Sequence, residues 1–160
     1  MQELEIRAAR AQDLKGIEAV FKSHKPCYDW KFAKRYYASF FSQPMLHRDD
    51  TVFVGLLEGR VVGVIGYLHD WREARGIYWL GWYYVHKEAQ GQQVGRQLID
   101  RVISEVKKLG ARKLYTDTSS WGFYDRAHHR YRELGFREEA TLRDFYEKGE
   151  HQVIYGMDLT

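Results

Sequence analysis

A chain of 160 residues can bury one hydrophobic core but is short for two domains of ordinary size. Its composition, 44% apolar and 16% aromatic with two prolines, excludes disorder and low complexity, and its longest apolar or glycine run, Gly76 to Val85, falls far short of a membrane span. A formal charge of +3 is too small to demand a nucleic-acid partner, and a single cysteine, Cys27, excludes an internal disulfide. The opening "MQELEIRAAR" has charges and no apolar segment of the kind that marks a secretory leader, so the expectation is one cytoplasmic domain over 1–160.

In chain order, "LEIRAA" alternates apolar and polar residues and predicts a first strand. Asp13 then stands as a cap before Leu14, Ile17, Val20 and Phe21, which recur at helical spacing. A second helix is expected from about Trp30 to Phe41, ending before Pro44. The period then changes to that of strands. "TVFVGLLEGRVVGVIGYL" places two β-branched runs around Glu58-Gly59, a hairpin signal, and "GIYWLGWYYV" follows as a fourth strand.

From Val94 to Leu109 the residues Val94, Leu98, Val102, Val106 and Leu109 form a helical stripe that stops at Gly110. "RKLYTDT" predicts a fifth strand. After it, Ser119 or Ser120 is expected to cap a helix whose stripe is Tyr124, Ala127, Tyr131 and Leu134, closed by Gly135. Strands near "FREEATLRDFY" and "HQVIYGMDL" flank a turn at Lys148-Gly149-Glu150. The order β-α-α-β-β-β-α-β-α-β-β predicts an α/β (α+β) fold with a central mixed, twisted sheet flanked by helices. The crossover from the fourth strand through the long helix to the fifth is expected to be parallel and right-handed, with a ligand at the strands' carboxyl ends.

At that end lies "QGQQVG", Gln90 to Gly95. The first N–H groups of a helix have no intrahelical partner and lie at the positive end of its dipole, so a small-residue turn there can wrap amides around an anion. Gly91 and Gly95 suit that need and Arg96 adds a charge, although a tight turn explains the glycines equally well. Neither a G-x-x-x-x-G-K-[ST] nor a G-x-G-x-x-G pattern passes through them. From Gln90 to Arg137 ten Lys and Arg stand against five acids, so this segment carries +5 and the remainder −2. Solvated helix faces account for that excess, and so does attraction for a phosphorylated ligand.

Following "YYVHKEA" and preceding "RQLIDRVI", this loop resembles the [QR]-x-x-G-x-[GA] signature of the GCN5-related N-acetyltransferases (GNAT). Ala127, Tyr131 and "ELGF" (Glu133 to Phe136) are similar to that family's second conserved segment, and the element order matches its fold over nearly the whole chain. The resemblance implies an acetyl-CoA-dependent transferase. The amides of Gly91, Gln92, Gln93, Val94, Gly95 and Arg96 would hold the CoA pyrophosphate, with Gln90 also at the cofactor, while Tyr83, Tyr84 and Val85 would line the pantetheine along a strand that bulges and splays from the fifth. Tyr124 is expected at the cofactor in place of the asparagine many members carry. Gln93 departs from the family's second glycine and is feasible there only if the position does not need a positive φ.

Acyl transfer to an amine requires a neutral nucleophile, a donor for the tetrahedral oxyanion and a proton for the departing thiolate. The resemblance gives the proton to Tyr131, since a phenol with a pKa near 10 is protonated at neutral pH, and the oxyanion to the Val85 amide. On pattern alone Tyr131 reads as a packed core residue, and it is the motif match that turns the reading toward the thioester. No carboxylate lies between Ile77 and Val85, where many relatives carry a glutamate; Asp117, Glu147, His128, His129 and water remain open as the base.

No metal is expected from the histidine and cysteine spacing. The His128-His129 pair reads as helix surface, and Cys27 reads as a small buried residue. Tyr78, Trp79, Trp82, Tyr83 and Tyr84, with Trp71, Tyr28 and Trp30, suggest aromatic walls for an apolar or cationic amine, on a small molecule or a peptide. The family also allows a homodimer. A non-catalytic acyl-CoA-binding module is the alternative, and a nucleic-acid binder ranks last; no membrane partner is expected.

Overall fold

The structure is a computed structural model that describes residues 3–70, 72 and 74–160; Trp71 lies outside the described residues. Among the described residues eight strands and four α-helices follow one another in a mixed α/β architecture. The chain forms two compact units. The first comprises the described residues of Met1–His69 with Leu80–Glu105, the second those of Asp70–Trp79 with Val106–Thr160.

In the first unit β1 (Glu5–Ala8) pairs antiparallel with β2 (Asp50–Leu57), and β2 with β3 (Arg60–His69). Glu58 and Gly59 turn the hairpin with φ of 50° and 75°. Two left-handed residues give a turn whose twist matches that of the flanking strands. One face of the hairpin carries Val52, Val54 and Val64, onto which α1 (Leu14–Lys22) and α2 (Trp30–Ser42) bury Ile17, Val20, Phe21, Ala33 and Tyr37. The other face is approached by α3 (Val94–Lys108), whose residues through Glu105 belong to this unit. A Cβ on Gly63 would lie 2.7 Å from Leu98 Cδ1, so glycine there sets how closely helix and strand approach.

Asp13 does not cap α1. It ends a 3-10 turn, Ala11–Asp13, and its carboxylate accepts from the Arg10 amide at 2.7 Å and from the Arg7 guanidinium at 2.8 and 2.9 Å. The Arg7 bond holds this buried carboxylate below the usual range although desolvation opposes it.

In the second unit the expected parallel pairing is present: Ile77–Trp79 of β4 (Ile77–Leu80) run beside Lys113–Tyr115 of β6 (Lys113–Ser119). On its other side β6 pairs antiparallel with β8 (Glu150–Asp158), which pairs with β7 (Arg137–Glu147). Tyr155 is wholly buried on the face where Tyr131 of α4 (Asp125–Glu133) packs against it, ring centroids 5.7 Å apart. Neither Ser119 nor Ser120 caps α4: a 3-10 turn, Gly122–Tyr124, intervenes, and the two hydroxyls accept from the Trp121 and His151 amides instead.

Candidate active site

The predicted fourth strand is two strands. β4 stops at Leu80, Gly81 to Tyr83 leave the ladder, and β5 (Tyr84–Val85) pairs with β3 alone. At the break the Gly81 amide bonds Gly66 O at 2.8 Å, and a Cβ on Gly81 would sit 3.3 Å from the Gly66 backbone. Only glycine allows that approach without displacement. The His86 amide donates to Val62 O at 2.8 Å, which makes 86 and 62 a hydrogen-bonded pair, and Val85 faces Gly63 in the next position. Antiparallel alternation therefore turns the Val85 N–H and C=O away from β3. Its carbonyl receives the His24 imidazole, Nε2 to O 2.8 Å.

From there the chain makes a short 3-10 turn, Lys87–Ala89, and the loop Gln90 to Gln93 before α3. Gly91 has φ 78° and Gln93 φ 64°. The expectation that Gln93 avoids positive φ is thus overturned; the loop keeps the glycine conformation with a side chain in place. Among the described residues no backbone acceptor takes the amides of Gly91, Gln92 or Gln93, and the Gln97 amide makes the first helical bond, to Gln93 O at 3.0 Å. Val94, Gly95 and Arg96, as the first helical residues, present N–H groups the helix cannot satisfy. The exposed run Gly91 to Gln93 therefore leads into a helix start, the arrangement that binds phosphate.

Two neighbours tie this loop down. Tyr83 donates its hydroxyl to Gly95 O at 2.7 Å, and Gln92 Nε2 donates to Glu88 O at 3.1 Å. The Tyr83 side chain thus holds the helix start, whereas Tyr84 donates its hydroxyl to Asp29, so the Val85 backbone is what this strand end offers. Arg96 is exposed but shared, Nε to Asp100 Oδ2 3.1 Å. A groove of about 460 Å³ beside Gln92 is lined by Glu58 and Glu88 and by Arg60, whose guanidinium is already paired with Glu88 at 3.4 Å, so its charge does not favour phosphate.

The other predicted residues lie in the second unit. Tyr131 is half-buried with its ring 5.7 Å from that of Phe136, and Tyr124 precedes α4 edge-on to Phe123 at 5.1 Å. Of the proposed bases, His128 is not helix surface. Its Nδ1 meets the Tyr155 hydroxyl at 2.7 Å and its Nε2 meets Ser119 O at 2.8 Å, so both nitrogens are engaged. His129 is exposed against Glu133. Glu147 is exposed at the end of β7, opposite Glu150. Asp117 is half-buried mid-strand, accepting from Gln152 Nε2 at 2.8 Å and from the Tyr146 hydroxyl at 3.4 Å. Cys27 is half-buried, and burial pushes its thiol pKa up, away from the reactive thiolate.

No group of three His, Cys, Asp or Glu that could hold a metal occurs among the described residues. None of their helices is long and apolar enough to cross a membrane. Sequence reasoning missed Ser23, His24 and Asp29. Their bonds to the strand end join positions some sixty residues apart, for which no local pattern exists.

The sequence model of the acetyltransferase (GNAT) family matches residues 17–136. No curated protein gives a significant match. Solved structures do. A protein from Desulfovibrio desulfuricans, provisionally described as an acetyltransferase of the GNAT family, superposes with a TM-score of 0.89 at 22% identity, covering 99% of this chain and 100% of its own. The ribosomal-protein-S18-alanine N-acetyltransferase of Escherichia coli gives 0.75 at 18% identity over 99% and 95%. A Salmonella typhimurium chain, provisionally described as an acetyltransferase and solved with its cofactor acetyl-CoA, gives 0.69 at 21% identity over 98% and 94%.

Proposed function

Because this chain belongs to the GNAT acetyltransferase family, we propose that it is an N-acetyltransferase moving acetyl from acetyl-CoA to a primary amine of a small molecule or peptide. The observation that carries this reading is the run of unaccepted amides from Gly91 into the first turn of α3, following a strand end whose Val85 backbone faces away from its neighbour. The residues fit the cofactor. Gly91 and Gln93 hold the curvature that aims successive N–H groups outward, which is what a pyrophosphate requires. Acetyl-CoA, when bound, supplies the activated thioester.

The remaining roles belong to this chain's own groups. The Val85 N–H is oriented to donate to the oxyanion that develops on the acyl carbon. The Tyr131 phenol carries the proton for the departing sulfur. Asp117, a half-buried carboxylate that accepts from the neutral donors Gln152 and Tyr146, is our candidate for the group that takes the proton from the amine. Attack is direct, in a ternary complex, with no acyl-enzyme.

Release of free CoA thiol from acetyl-CoA, followed across amines, polyamines, aminoglycosides and peptides, tests the reading. A substrate is expected, and Tyr131→Phe should lower its turnover at least tenfold without unfolding the protein. CoA binding without thiol release on any amine would favour a non-catalytic binding module.

A further inference from the structure

The two-residue strand β5 is held on one side by β3 and on the other by a single loop. Three attachments, to Tyr84, Val85 and Lys87, come from that loop, which joins α1 to α2. The Ser23 hydroxyl accepts from the Lys87 amide at 3.1 Å while donating to Val20 O at 2.7 Å. His24 Nε2 meets Val85 O at 2.8 Å, and Asp29 accepts from the Tyr84 hydroxyl. A carbonyl can only accept, so His24 carries its proton on Nε2. Its ring stands edge-on to Tyr84 at 5.3 Å, and Tyr84 in turn stacks at 4.2 Å on Phe21, which is wholly buried. The imidazole is therefore mounted on the core.

In an extended strand the N–H and C=O of one residue point to the same side. The carbonyl that His24 grips thus belongs to the residue whose amide is aimed outward, along the same edge. We propose that His24 is a positioning residue for acyl transfer. By fixing the Val85 carbonyl it fixes the backbone rotation at Val85, and with it the direction in which the Val85 N–H donates. This rests on the reading of that amide as the oxyanion donor. A preorganised donor acts only while its direction is held, and loss of a whole oxyanion donor costs about 10²–10³-fold in turnover. Loosening one costs part of that.

The test compares wild type, His24→Ala and His24→Gln, the last retaining a side-chain N–H. Expected is a fall of about tenfold in kcat for His24→Ala, with CoA affinity and KM for acetyl-CoA within twofold of wild type, and recovery to within threefold in His24→Gln. Equal kcat in wild type and His24→Ala, or a glutamine variant as slow as the alanine one, would overturn the proposal. Amide hydrogen exchange at His86 in the free protein reads the clamp without any turnover. It should speed up at least fivefold in His24→Ala and stay near wild type in His24→Gln; unchanged exchange in His24→Ala would refute the clamp. If no amine supports turnover in wild type, the transferase reading fails while the exchange result still decides the clamp.

Discussion

Gln93 holds a backbone angle of φ 64° that an L side chain resists by about 1–2 kcal/mol, at the position where the family pattern has glycine. Gln93→Gly removes that strain but gives the unfolded chain about 0.4–1 kcal/mol of extra freedom. The balance predicts a thermal midpoint equal to wild type or up to about 6 °C higher, with CoA affinity retained. A β-branched residue at Gln93 should instead lower the midpoint by a similar amount or more. A marked loss of stability or of CoA binding in Gln93→Gly would contradict the account of the loop. At this scale the sequence was half legible. Gly91 could be read as a left-handed residue from its type, while Gln93 could not, because its conformation is imposed by the flanking turn and helix. His128 was misread for the opposite reason: its charge-rich helix looks solvated in sequence, yet Tyr155 and Ser119 claim both ring nitrogens.

Among elements, helices and hairpins were legible because their signals are local. The stripe from Val94 and the pair Glu58-Gly59 need nothing beyond their neighbours in sequence. The resemblance implies a bulged, splayed fourth strand, but where "GIYWLGWYYV" breaks was not legible. It depends on Gly81 meeting Gly66 across the ladder, and a continuous aromatic run gives no hint of where pairing stops. Tyr83, released by that break, reaches α3 instead. The Tyr83→Phe variant loses the part-buried bond to Gly95 O, which should cost about 1 kcal/mol, or roughly 2–4 °C in the midpoint. An unchanged midpoint in a thermal-shift assay would show that the hydroxyl does not hold the helix start.

For the whole molecule, each unit contains a buried carboxylate tied to an arginine. Asp13 is held by Arg7. Asp70 accepts from Arg72 Nη2 at 2.7 Å and from Trp79 Nε1 at 3.0 Å, and its pKa is depressed chiefly by the Arg72 bond. A carboxylate depressed on folding contributes stability that is fully present above its unfolded pKa, near 4, and is lost as pH falls through the lower folded value. Thermal midpoints should therefore drop below about pH 4. Asp13→Asn and Asp70→Asn should start lower at neutral pH and lose less on acidification; a parallel loss in wild type and variants would remove these pairs as the cause. The fold class and element order were legible at this scale, since a β-α-β crossover leaves a clear change of period, and Ile77–Trp79 indeed pair in parallel with Lys113–Tyr115. That pairing also sets a clock. At about 5–20 residues per second the ribosome finishes β4 some two to seven seconds before β6 exists, so one edge of a strand holding Ile77 and Leu80 must wait unpaired in the nascent chain.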